Sequence, residues 1–205
     1  MKTLECRGIT LSDKQTKICV PITGTDLEEI KEQAEKIANM NPDVVEWRAD
    51  FYDVKDNDET EFEQCLKAIK EKLKKIPIIY TYRTSNEGGE KSIDVDDYCR
   101  LCKYVSEISE KYNVAMIDVE LYENKDRKDI GKLLLDIKST GVKVIGSNHH
   151  FEGTPSEKDI FNVLKTMEEA GADICKIAVM PKEKVDVKTL INASKKANKE
   201  LNAPI

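Results

Sequence analysis

From residue 18 onward, short apolar runs of strand type alternate strictly with longer amphipathic segments, and that alternation leaves few folds open. Strands are expected over 18–22, 44–48, 76–83, 114–121, 142–149 and 174–180. Helical patterns fill the gaps. The first starts at a capping box of Thr25 and Glu28 and reaches Met40, where Asn41-Pro42 stops it. The others cover 61–75, 94–112, 129–140, 156–170 with Ser156 as N-cap, and 186–201. Strands joined through helices run parallel, because a parallel pair needs a long crossover. An open doubly wound sheet and a (β/α)8 barrel both satisfy that rule. No Gly-x-Gly-x-x-Gly follows the first strand and no Walker-type loop occurs, which disfavours a nucleotide-binding sheet. The ionisable residues gather at the carboxyl ends of the strands, where barrels place their chemistry.

The expected fold is therefore α/β, of the TIM (β/α)8 barrel family. A single domain over 1–205 holds six βα units, with the start of a seventh strand at Ala203-Pro-Ile205, so the barrel is C-terminally incomplete in this chain. Residues 2–7 and 14–16, about a turn at Ser12-Asp13, read as a leading β-hairpin, and 18–22 as a first buried strand.

The 205 residues carry a net charge of -6 with no basic tract, which argues against nucleic acid or an anionic membrane as partner. No apolar run is long enough to span a bilayer, and Met1-Lys-Thr-Leu-Glu-Cys6 is not a signal peptide, so a cytoplasmic setting is expected. Six scattered cysteines then read as reduced thiols. Cys99-x-x-Cys102 falls inside a helical pattern without a second ligand pair, so it reads as a helix face rather than a metal site.

The segment from Gly171 to Met180 is apolar except for Lys176 near its centre. A lysine inside a buried strand is costly unless something uses it. Desolvation lowers its pKa and leaves a free amine, a nucleophile able to form a Schiff base. On this segment alone, a lysine whose head reaches the strand rim is the favoured reading, and the other strands change that balance. Other strand ends carry ionisable groups too: Glu46 and Arg48 on one face, Arg83 running into Glu87-Gly-Gly, and Ser147-Asn-His-His150. Four such ends point to one site. Successive residues face opposite ways, so only one of His149 and His150 can face inward.

Taken together, Glu46-Trp-Arg, Tyr82-Arg-Thr with Glu87-Gly-Gly-Glu, Ser147-Asn-His, Thr154-Pro and Asp173-Ile-Cys-Lys-Ile-Ala-Val-Met-Pro resemble type I 3-dehydroquinate dehydratase along the whole chain. The resemblance implies a hydro-lyase of the shikimate pathway that converts 3-dehydroquinate to 3-dehydroshikimate. Lys176 would attack the C3 ketone of this small-molecule substrate. His149 would move the protons, Glu87 would orient His149, and Glu46, Arg48 and Arg83 would bind substrate. The resemblance also implies no metal or organic cofactor, and a homodimer. This sequence departs from the family pattern at His150, where Asp is usual, and at Pro21, where some members have Ser. The family's strands seven and eight, with a carboxylate-gripping arginine and a Ser/Gln loop, would lie past Ile205, so this chain alone is expected to be an inactive, aggregation-prone open barrel. Two alternatives stand beside this reading: another class I Schiff-base aldolase on the same barrel, and a non-catalytic truncated remnant.

Overall fold

The computed structural model describes residues 2–12, 15–53, 58–121 and 128–205. An antiparallel hairpin of β1 (Thr3–Cys6) and β2 (Ile9–Ser12) leads. There follow β3 (Cys19–Ile22), α1 (Leu27–Met40), β4 (Val44–Arg48), α2 (Glu59–Leu73), β5 (Ile78–Thr81), α3 (Val95–Glu107) and α4 (Ser109–Tyr112). The chain continues through β6 (Val114–Glu120), α5 (Lys128–Ser139), β7 (Lys143–His150), α6 (Glu157–Glu169), β8 (Ile174–Val179) and α7 (Lys184–Glu200). Strands β3 to β8 form one six-stranded sheet in sequence order, every neighbouring pair parallel. The sheet curls into a half-barrel with β3 and β8 at its edges.

Alternation along each strand sorts the side chains onto two faces. On β6, which is buried along its whole length, Ile117 and Val119, with Leu121 just past its end, join the core under the helices, whereas Met116, Asp118 and Glu120 take the concave face. The concave face is itself layered. At the amino ends of the strands, Val44, Met116 and Ile145 pack with Cys6 and Ile9 of the hairpin. Arg7 fastens the hairpin there, donating from Nε to the Val114 carbonyl at 2.7 Å. Toward the carboxyl ends the same face turns polar.

The structure corrects several local expectations. The hairpin turns at Arg7-Gly8, both at positive φ (39° and 83°), which is the two-residue geometry that matches strand twist; Ser12 ends β2, and Asp13 lies outside the described residues. Asp26, not Thr25, caps α1, its carboxylate accepting from the backbone of Glu28 and Glu29. Thr25 instead gives its N–H and hydroxyl to Glu29. The helix expected over 94–112 breaks at Ile108 into α3 and α4; Ser106 at the end of α3 turns its hydroxyl back to the Lys103 carbonyl, competing with the regular ladder. Only Ile22 of β3 is buried, because β3 is an edge, and that is where Pro21 is tolerated. Residues 203–205 form no strand: one backbone bond, from Cys175 N–H to the Pro204 carbonyl at 2.9 Å, lays them beside β8. Ser156 caps α6 as expected, accepting from the Asp159 N–H.

Candidate active site

The polar layer closes around a cavity of about 100 Å³. All six residues singled out from the sequence, Glu46, Arg48, Arg83, Glu87, His149 and Lys176, line it, and Gly88 and Phe151 complete the wall. Strand β4 brings Glu46 and Arg48 inward by turning Trp47 the other way. Trp47 is fully buried against Phe62 and Tyr80, with ring centroids at 5.8 and 5.6 Å, which fixes the rotation of the strand.

Arg83, just past β5, is only 4% exposed, yet it is surrounded by acceptors. Its Nη1 donates to Ser147 Oγ (2.9 Å) and Glu120 Oε1 (3.1 Å) and lies 3.5 Å from Glu87. Its Nη2 lies 2.9 Å from Asp118 Oδ1. A buried guanidinium survives only with such partners, and Asp118 and Glu120 hold its pKa above the usual range against the pull of burial. Burial alone would push the Asp118 carboxyl up, but Arg83, Lys176 and the Ser147 hydroxyl override it and hold the group below the usual range. Glu120 goes the other way. Burial and the neighbouring Glu87 raise it, although Arg83 and the Thr84 N–H and hydroxyl oppose the rise. Arg83 is thus the hub of a polar block as well as part of the cavity wall.

Glu87 sits on the short 3-10 turn Ser85–Glu87, closed by Gly88 at φ 80°. A Cβ on Gly88 would come within 2.2 Å of the Phe151 ring, and one on Gly89 within 1.8 Å of the Arg83 carbonyl. The two glycines therefore let this loop lie flat on the strand ends. Glu87 accepts from Asn148 Nδ2 at 3.0 Å and stands 2.9 Å from His149 Nδ1. Burial, then the charges of Arg83 and Lys176, depress the His149 pKa to about 4, against the opposite pull of Asp118 and Glu120. The imidazole is neutral at pH 7. Glu87 on Nδ1 places the proton there and leaves the Nε2 lone pair as the basic site. The Phe151 ring stacks on the imidazole, 15° from parallel with centroids 6.4 Å apart. His150 is not part of the wall, and its Nε2 is buried without a hydrogen-bond partner among the described residues.

Lys176 departs from the expectation of a sealed strand. Strand β8 is an edge, and the lysine side chain is 41% exposed. Its Nζ stands 3.3 Å from Asp118 Oδ2 and 4.0 Å from Glu46 Oε1. Carboxylates, rather than an apolar surround, define its setting. A larger hollow of about 510 Å³ opens beside β8 and α7, but Lys176 is the only one of the six to reach it.

Sequence reasoning passed over Asp118, Glu120 and Asp50. Asp118-x-Glu120 in an apolar run carries the same two-residue spacing that marked Glu46 and Arg48. Cys99 and Cys102 lie one turn apart on α3, Cys102 in the core, and among the described residues no group of three His, Cys, Asp or Glu could hold a metal ion. No described helix is long and apolar enough to cross a membrane.

Residues 18–205 match the family model described as Type I 3-dehydroquinase. A 3-dehydroquinate dehydratase of Clostridium novyi is 38% identical over 95% of this chain and 74% of its own length. One from Bacillus licheniformis is 41% identical over 94% of this chain and 74% of its length. Among solved structures, a type I 3-dehydroquinate dehydratase from Clostridium difficile with covalently modified comenic acid superposes with a TM-score of 0.92 at 34% identity, covering 100% of this chain and 79% of that one. The chain belongs to the type I 3-dehydroquinase family.

Proposed function

We propose that this protein is a hydro-lyase that dehydrates 3-dehydroquinate to 3-dehydroshikimate through an imine on Lys176. The observation that carries the reading is a single cavity uniting an amine, a carboxylate-oriented neutral imidazole and guanidinium groups. The names of the relatives supply the substrate. The Lys176 amine adds to the C3 ketone, and loss of the carbonyl oxygen as water gives an iminium ion beside the Asp118 carboxylate. That cation is an electron sink. His149 Nε2 takes a C2 proton, electrons move toward nitrogen, and return of the proton to the C1 hydroxyl releases water. Hydrolysis of the imine consumes one water, so one water is lost overall. The iminium ion does what a metal or organic cofactor would otherwise do, and none is needed. Arg48 offers charge to the substrate carboxylate, and Glu46 contacts substrate beside Lys176. In the same reading the half-barrel is the larger part of a (β/α)8 barrel forming one domain, and the enzyme works as a cytoplasmic homodimer.

In a protein carrying the whole family barrel, borohydride added with 3-dehydroquinate should trap a reduced adduct whose mass maps to Lys176. Lys176→Ala should fold and take no label. A label on any other lysine would sink the assignment.

A further inference from the structure

Asp50 is fully buried, at 0% side-chain exposure, and does not itself line the cavity. The 3-10 turn Ala49–Phe51 folds it back over the end of β4. Its carboxylate accepts from three separate segments. Arg48 grips both oxygens, from Nε at 2.8 Å and Nη2 at 2.7 Å. The backbone N–H of Arg83, at the end of β5, donates to Oδ1 at 3.3 Å. The backbone N–H of Glu90, past the Gly88-Gly89 pair, donates to Oδ2 at 3.2 Å. Arg48 also lies over the Phe51 ring, 4.9 Å from its centroid, so two residues of the one turn fix the guanidinium.

These contacts share a consequence. Arg48 reaches the cavity from one side of Asp50, and the loop that Asp50 pins on the other side carries Glu87, which orients His149. The two fixtures sit on different segments, and their common attachment is one carboxylate whose four donors use both oxygens. A bidentate guanidinium pair is rigid, and a buried carboxylate that loses a donor is strongly penalised, so neither fixture can shift without disturbing the other.

We infer that Asp50 is a positioning residue that couples the grip of Arg48 on the substrate to the aim of His149. The inference rests on the dehydratase reading for its substrate but not for its geometry. In the full chain, Asp50→Asn keeps the shape and puts an amide where a carboxylate oxygen stood. It should raise KM for 3-dehydroquinate by about tenfold or more and lower kcat severalfold. In an Arg48→Ala background the same change should leave KM where Arg48→Ala alone puts it, while kcat still falls. By NMR, the His149 ring titration should move by about half a pH unit or more in Asp50→Asn and stay put in Arg48→Ala. KM penalties that multiply in the double variant, or a His149 titration unmoved in folded Asp50→Asn, would overturn the coupling. Should Asp50→Asn not fold, the wild type decides: matching protection factors for the Arg48 Nε–H and the Glu90 amide support one shared anchor, and a Glu90 amide protected tenfold less than the Arg48 Nε–H refutes it. If the wild type, carrying the whole family barrel, neither binds nor converts 3-dehydroquinate, the dehydratase reading falls. The titration and exchange measurements need no substrate and still judge Asp50.

Discussion

The middle of the sheet and its open edge hold the same kinds of side chain in opposite states. Around β5, β6 and β7, Arg83 is sealed among Asp118, Glu120, Glu87 and Ser147, each within hydrogen-bond or ion-pair reach. Toward the edges, Lys176 on β8 is 41% exposed and Arg48, on β4 one strand in from the β3 edge, 23%, and each leans on a carboxylate while facing the cavity. The difference teaches what each cation can do. A guanidinium saturated by internal partners holds the strand ends in place. A half-exposed amine can exchange its carboxylate contact for a substrate.

Removing the hub should break that contrast most severely. Arg83→Met leaves buried carboxylates without their cation, so it should cost about 3–5 kcal/mol in urea denaturation as well as abolishing turnover. Lys176→Ala should leave stability within about 1 kcal/mol. Equal losses for the two would erase the distinction between sealed and open cations.

Next in size is the pair of histidines. His149→Ala should reduce turnover by about a hundredfold to ten-thousandfold with the fold intact, since in the proposed mechanism it removes the acid–base group. His150→Ala, outside the cavity, should have a mild effect on turnover. The reverse ranking in steady-state assays would show that the neighbouring histidine does the work.

The smallest effect is one of pH. The unfolded chain protonates a histidine near pH 6.5, whereas folded His149 does so at about 4. Across that window the unfolded state binds a proton that the folded state refuses, so His149 makes stability fall as pH drops from about 6.5 toward 4. Denaturation at pH 7 and pH 5 should therefore show a larger loss for wild type than for His149→Gln, which cannot titrate. Equal losses would mean that the imidazole is not held neutral by its surroundings.

Much of the architecture is legible in the sequence because it is periodic. The βα alternation announces a parallel sheet, and two-residue spacing puts Glu46 beside Arg48 on one face. The misses share a cause. The hairpin turn at Arg7-Gly8 and the Asp26 cap depend on φ angles and a choice among adjacent acceptors, which residue type only biases. Asp118 and Glu120 were passed over because a strand interior reads as core until something shows which face is polar. How far Lys176 is exposed is not legible, because ten residues of local sequence fit both a buried amine and a head at the rim; its 41% exposure comes with the edge position of β8.

By itself, then, the sequence determined the alternation, the strand ends that carry charge, and the residue types gathered there. Those features are local, written in spacing and composition. The tertiary structure alone decided the partnerships: Arg83 with Glu120, Glu87 with His149, Asp118 with Lys176, separated by 37, 62 and 58 positions in the chain. It also decided which histidine faces the cavity and how far each cation is exposed. Hydrogen bonds and desolvation depend on distances of a few ångströms, and residues so far apart in sequence reach those distances only when the sheet curls and brings its strand ends together.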